Sequence, residues 1–177
     1  GSNEIVGLPD GSYSSTITAD THVSVGTGTS TVGSDVEIET LRFNAPGAAT
    51  VDVTSGNQLR LLQYGNHTSM GILVTPNVGP NDVEISGDGD VRQAGAGLID
   101  RGTYAIHQYN PQGKLEISAQ LVGRGGGGAW DAISVVKTGP GELLLSNDSN
   151  SYNGTVVVYQ GTLSFTSVAD EDADSAV

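Results

Sequence analysis

The stretch Val135-Val136-Lys137-Thr138-Gly139-Pro140-Gly141-Glu142-Leu143-Leu144-Leu145-Ser146 runs on through Asn150-Ser151-Tyr152-Asn153-Gly154-Thr155-Val156-Val157-Val158 to Gly161-Thr162-Leu163-Ser164-Phe165. It holds three short apolar runs, Glu142–Leu145, Thr155–Tyr159 and Thr162–Phe165, parted by a Ser/Asn/Asp-rich turn and by Gln160-Gly161. Strand side chains alternate between faces, so Leu143 and Leu145 share one face, as do Leu163 and Phe165. Leu143 and Leu163 are 20 residues apart, and so are Leu145 and Phe165. A strand pattern that returns at fixed spacing is what a coiled sheet produces, each pass of chain lying on the last. The spacing predicts one rung of a right-handed parallel β-helix.

Working outward, the same grammar recurs upstream. Leu41-Arg42-Phe43, Val51-Asp52-Val53, Leu59-Arg60-Leu61, Val83-Glu84-Ile85 and Leu115-Glu116-Ile117 each place two apolar residues around one polar residue. Ile72-Leu73-Val74 is apolar throughout and is expected to be buried on both faces. All six prolines (Pro9, Pro46, Pro76, Pro80, Pro111, Pro140) fall outside these alternations, as strands bonded on both sides require. With rungs of roughly 20–25 residues, about seven or eight would stack into a rod on the order of 35 Å long, from the strand spacing of about 4.8 Å.

Composition agrees. Glycine accounts for 26 of 177 residues and charged residues for only 15%, with Val, Thr, Ser, Ile and Leu filling the runs, which suits an all-β chain with many tight turns. Cysteine is absent, which rules out a disulfide framework or a Cys-based metal site. Twenty acidic against seven basic residues give a net charge of −13. That balance argues against nucleic acid as partner, since phosphates need Lys/Arg clusters, and against attraction to anionic membranes. No run approaches the roughly 20 apolar residues that cross a bilayer, so direct membrane insertion is not expected.

Along the chain, Gly1-Ser2 reads as a cloning remnant on a piece of a longer protein. Residues 3–40, Ser/Thr/Asp/Gly-rich with no Lys or Arg, form N-terminal rungs or a cap. Residues 41–168 are the coil, including the repeat at 135–165. Residues 169–177, with Asp170-Glu171-Asp172-Ala173-Asp174, form an acidic tail or the start of a further rung. Arg124-Gly125-Gly126-Gly127-Gly128 is expected to be a surface loop, with Trp130 packed against the sheet after it.

The order Lys-x-Gly-x-Gly-x-Leu-x-Leu, then Asn-x-Tyr, Gly-Thr-x-Val and Gly-Thr-Leu, resembles the autotransporter-associated β-strand repeat, or passenger-associated transport repeat. It falls on Lys137, Gly139, Gly141, Leu143, Leu145, Asn150, Tyr152, Gly154, Thr155, Val157, Gly161, Thr162 and Leu163. Asn147-Asp148-Ser149 is longer than the family's usual Gly-Ala, and a single Gly154 stands where the family often has two. Thr40–Asn44, Gly71–Gly79 and Ile106–Asn110 resemble sequence that often precedes the repeat. The resemblance implies a structural stalk of a large exported surface protein of a Gram-negative-type bacterium. It further implies a segment that assists passenger folding and export and spaces a distal adhesive part from the cell. Its partners would be neighbouring rungs, surface glycan or another copy of itself, and no cofactor is implied. Within the motif, Asn150 is expected to bond turn amides, Tyr152 to cover the rung edge and Lys137 to pair with a carboxylate.

Two other classes of function have candidate residues. A polysaccharide lyase or hydrolase would use paired carboxylates, and Asp82, Glu84, Asp88, Asp90 and Glu116 are the acids to consider. Their ordinary role would be outward positions on strands and turns. Arg92, Arg101 and Lys114 are the nearby bases a lyase would need. A glycan-binding or self-binding module would show a row of exposed aromatics, drawn from Tyr64, Tyr104, Tyr109, Trp130 and Tyr159. Asp88-Gly89-Asp90 offers oxygen ligands for calcium, and Gly126–Asp131 is a single imperfect echo of the calcium-binding nonapeptide. His22, His67 and His107 lack metal-ligand spacing and are expected to be ordinary surface or turn residues. No catalytic, cofactor or metal residues are therefore assigned.

Overall fold

The computed structural model describes residues 8–61, 69–94, 102–123, 133–152 and 154–166. Tyr64, His67, Arg101, the 124–128 glycine run, Trp130, Asp131, Asn153, the first residues and the acidic end lie outside the described residues.

The chain forms short strands wherever apolar and polar residues alternate, and breaks at Gly, Pro, Asn and Asp. The first strands are β1 (Tyr13–Ser14), β2 (His22–Val25), β3 (Gly28–Val32), β4 (Val36–Ile38), β5 (Thr40–Phe43) and β6 (Ala49–Val53). There follow β7 (Gln58–Leu61), β8 (Ser69–Val74), β9 (Val83–Ser86), β10 (Asp90–Gln93), β11 (Gly102–Gln108) and β12 (Lys114–Ile117). The last are β13 (Gln120–Val122), β14 (Ile133–Thr138), β15 (Glu142–Leu145), β16 (Val156–Val158) and β17 (Thr162–Phe165). Single 3₁₀ turns occupy Asp10–Ser12 and Pro76–Val78.

Three parallel sheets result. The first has the order β1-β2-β5-β8-β11-β14-β16, the second β13-β10-β7-β4 and the third β17-β15-β12-β9-β6-β3. From β2 to β15 the chain visits the first, third and second sheets in turn, so each strand lies beside the one three places earlier. This all-β, all-parallel order is the one a β-solenoid produces. The offset between neighbours is uneven. Leu143 pairs with Leu163, 20 residues on, as the sequence spacing predicts. Ala49, however, pairs with Val83, 34 residues on, and His22 with Thr40, only 18 on. Part of the extra length, residues 75–82, lies between β8 and β9, so the strands keep their alignment.

The core lies between the three sheets and is built from one residue in two. The triplets 41–43, 51–53, 59–61, 83–85 and 115–117 all bury their outer members and leave the middle one partly exposed. Ile72-Leu73-Val74 follows the same rule rather than burying both faces. Ile72 and Val74 are buried, while Leu73 points outward between Arg42 and His107 of the adjacent strands. The period of two overrides the apolar run.

Tyr104 ties two sheets together across this core. It extends from β11, is fully buried, and its hydroxyl lies 2.9 Å from the carbonyl oxygens of Val91 and Val122 on the second sheet. Burial raises its pKa far above the usual value of 10, and burial raises that of Tyr152 as well. A phenol whose folded pKa is raised leaves stability independent of pH below 10 and lowers it above, where only the unfolded chain loses the proton. Burial lowers the pKa of Lys137, which acts the other way but only up to its ordinary value of 10.5. Stability is therefore expected to fall above pH 10, with a slope that approaches about 1.4 kcal/mol per pH unit from Tyr104 and a further contribution of the same sign from Tyr152. Urea melts at pH 9, 10 and 11 test this, and a midpoint unchanged at pH 11 would contradict it.

Candidate functional site

Of the residues singled out by the sequence, Lys137, Gly139, Gly141 and Gly161 gather at the corner where the first sheet passes into the third. On β14, inward positions alternate as Ile133, Val135 and Lys137, so strand periodicity carries Lys137 into the core phase. It is fully buried. Its ammonium donates to the carbonyl oxygens of Gly139 (2.8 Å), Gln160 (2.9 Å) and, at longer range, Thr138 (3.4 Å). The expected carboxylate partner is absent from this set. Gly139 and Gly161 take φ values of +81° and +78°, turning the chain sharply at the corner where these carbonyls gather. Lys137 thus fastens its own corner to the corner of the next pass. Burial of the ammonium depresses its pKa.

Beneath Lys137 lies a polar layer that sequence reasoning missed. Gln108 and Asn110 are both buried. The Asn110 amide donates to Gln108 Oε1 (2.9 Å), Gln108 Nε2 donates to the Gly113 carbonyl (3.1 Å), and Asn110 Nδ2 donates to the Gly79 carbonyl (2.8 Å). The signal was available: in the inward phase of β11, Tyr104 and Ile106 give way to Gln108 just as the strand ends. Gly141 packs here too, since a Cβ on it would stand 2.2 Å from the Asn110 carbonyl oxygen.

Asn150 and Tyr152 act at another place. The last pass has no strand in the second sheet, and residues 146–152 run there instead. Asn150 Oδ1 accepts the Leu121 amide of β13 (2.8 Å), and the Ser151 amide donates to the Leu121 carbonyl (2.9 Å). A side-chain oxygen therefore supplies the ladder bond that a strand would have made, on the amide of a neighbouring strand rather than of its own turn. Asn147, in the segment where the sequence departs from the family pattern, donates from Nδ2 to the Ser118 carbonyl (2.8 Å). Tyr152 is buried in the core. Leu143 and Leu145 are buried, and Leu163 is partly exposed on the last strand of its sheet. Gly154 abuts the Ile133 carbonyl (2.5 Å from a Cβ placed on it), and Thr155 accepts the Val135 amide with its carbonyl (3.0 Å).

The five candidate acids are not brought together. Asp82, Glu84 and Glu116 lie at or on the third sheet, Asp90 on the second, and Asp88 is exposed in the turn between β9 and β10. Glu84 and Glu116 are ladder neighbours, an unfavourable pairing of like charges. A repeated diagonal bond offsets it. Ser118 donates to Glu84, Ser146 to Glu116 and Ser164 to Glu142, each at 2.7 Å; Ser118 and Ser146 stand just past the ends of β12 and β15, and Ser164 within β17. Lys114 Nζ donates to Glu116 (2.9 Å), and this bond, with that from Ser146, holds the Glu116 carboxyl below the usual range. Asp90 is bound by Arg92 through two bonds (2.8 and 2.6 Å), and Asp82 accepts the Lys114 amide (2.9 Å).

Among the described residues no group of three or more His, Asp or Glu is placed to hold a metal. His22 bonds Glu39 (2.7 Å) and Thr40 (3.0 Å), and His107 bonds Thr138 (2.6 Å). Tyr104 is buried, whereas Tyr109 and Tyr159 are 46% and 76% exposed. An open groove of about 370 Å³ lies along the corner, with Asp82, Lys114, Glu142 and Thr162 from four adjacent passes on its wall.

Neither a curated protein nor a solved structure matches the chain. Residues 135–165, the strands β14 to β17 with the Lys137 corner and the Asn150 turn, match the family model described as the passenger-associated-transport-repeat. The chain carries a passenger-associated transport repeat, which spans the pass begun by β14 and the first two strands of the next.

Proposed function

We propose that the chain is a right-handed parallel β-helix of roughly seven to eight rungs, serving as a structural stalk in an exported surface protein of a Gram-negative-type bacterium. One observation carries the reading. The matched repeat holds one pass in parallel register on the pass before it, tied back to that pass by Asn150, and the first two strands of the next, tied on by Lys137. The seven-stranded sheet supports the rung number, and the strong preference of parallel crossovers for the right hand supports the handedness. A pass whose polar groups are met by its predecessor can form as soon as it emerges from a membrane, so folding outside favours outward movement. The role is structural rather than catalytic, because Glu84, Asp90 and Glu116 are engaged by serine, arginine or lysine within the sheets.

The test is display of this segment between a secretion signal and a translocating β-barrel, with and without residues 135–165. The intact segment is expected on the cell surface as a protease-resistant unit, and the deletion should lower surface display severalfold. Equal display of both would sink the export role.

A further inference from the structure

Among the described residues, four large apolar side chains are notably exposed, and two of them, Tyr109 and Tyr159, stand on the corner that carries the open groove. Their positions follow from the ladder. His107 pairs with Thr138, and the Tyr159 amide donates to the Lys137 carbonyl (2.9 Å), which sets Tyr159 beside Thr138. His107, Thr138 and Tyr159 thus form an outward column across three adjacent strands. Tyr109 lies against His107 with the rings stacked, 6.4 Å apart at 18°. Along the stack the two tyrosines lie two strand spacings, about 10 Å, apart, with Tyr109 two residues further along the strand direction than Tyr159. Along the groove, Asp82, Lys114, Glu142 and Thr162 head four adjacent strands over about 15 Å. Lys114 is held by Glu116, which leaves carboxylates, an amide from Gln112 and a hydroxyl facing any ligand.

Exposed rings of this kind accept the C–H faces of sugars, and carboxylates accept their hydroxyl protons. The same carboxylates, on a chain of net charge −13, repel an anionic polymer. We propose that this corner binds a neutral, extended polysaccharide laid across the strands, its sugar faces on Tyr109 and Tyr159 and its hydroxyls donating to Asp82 and Glu142. The site is independent of the stalk role and stands or falls separately from it.

Affinity electrophoresis of the whole chain in gels containing neutral β-glucan, mannan or galactan, with heparin as the anionic control, tests it. The chain should be retarded by at least one neutral polymer and not by heparin. Tyr109→Ala with Tyr159→Ala should weaken that retardation at least tenfold with an unchanged circular dichroism spectrum, and Tyr159→Phe should keep it within about twofold. Three results would overturn the proposal: no retardation by any neutral polymer, equal retardation of the double variant, or preference for heparin. A concentration-dependent rise in molecular mass that the tyrosine variants abolish, with no glycan retention, would assign the patch to self-association instead.

Discussion

Replacing Gly139 with alanine is expected to destabilise the protein by roughly 3 kcal/mol or more. Two costs combine. The backbone at Gly139 has φ +81°, where an L-residue carries a penalty of about 1–2 kcal/mol. A Cβ there would also stand 2.3 Å from the Gln108 carbonyl oxygen, which is backbone and is itself held by the Gly141 amide (3.0 Å). Relief of that contact would shift the Gly139 carbonyl, one of the acceptors of buried Lys137. Gly33→Ala is the control, since a Cβ there meets nothing within 4 Å and the backbone is ordinary. Its effect should stay within about 0.5 kcal/mol. Urea unfolding followed by circular dichroism measures both, and a Gly139→Ala cost below about 1 kcal/mol would show that the corner can relax.

Tyr104→Ala should cost about 4–5 kcal/mol. Removing a fully buried aromatic ring commonly costs 3–5 kcal/mol, through lost burial and the cavity left behind. The hydroxyl adds to this, because the carbonyls of Val91 and Val122 both converge on its single proton. Tyr104→Phe separates the terms: it keeps the ring, loses the bonds and should cost about 1–2 kcal/mol. The same melts decide the matter. If the phenylalanine variant were as damaging as alanine, the bridge between sheets rather than the ring would dominate.

The alternation of apolar and polar residues carried most of the fold. Five triplets, from Leu41–Phe43 to Leu115–Ile117, showed their buried face directly, and the Leu143-to-Leu163 interval gave the register of the last pass. That interval did not extend to the middle of the chain, because corner length is free to vary while the strands stay aligned. The candidate site was less legible. Lys137 was recognised as part of the motif, yet its carbonyl partners depend on how two glycine corners stack, which no local pattern encodes. The buried Gln108 and Asn110 stood only within the Ile106–Asn110 stretch, with no sign that they form a buried polar layer. Tyr104, Tyr109 and Tyr159 were equivalent as letters, and only strand phase separates the buried bridge from the two exposed rings.

The uneven offsets between paired strands have a consequence for engineering. Neighbouring passes differ from 18 to 34 residues in length without loss of parallel alignment. Part of the excess, residues 75–82, lies between β8 and β9 rather than in a strand, and each doubling of a flexible loop costs only about 0.6 kcal/mol. Foreign peptides could therefore be spliced into successive corners of one edge and held about 5 Å apart, which makes the coil a ruler on which separate epitopes can be mounted in fixed order.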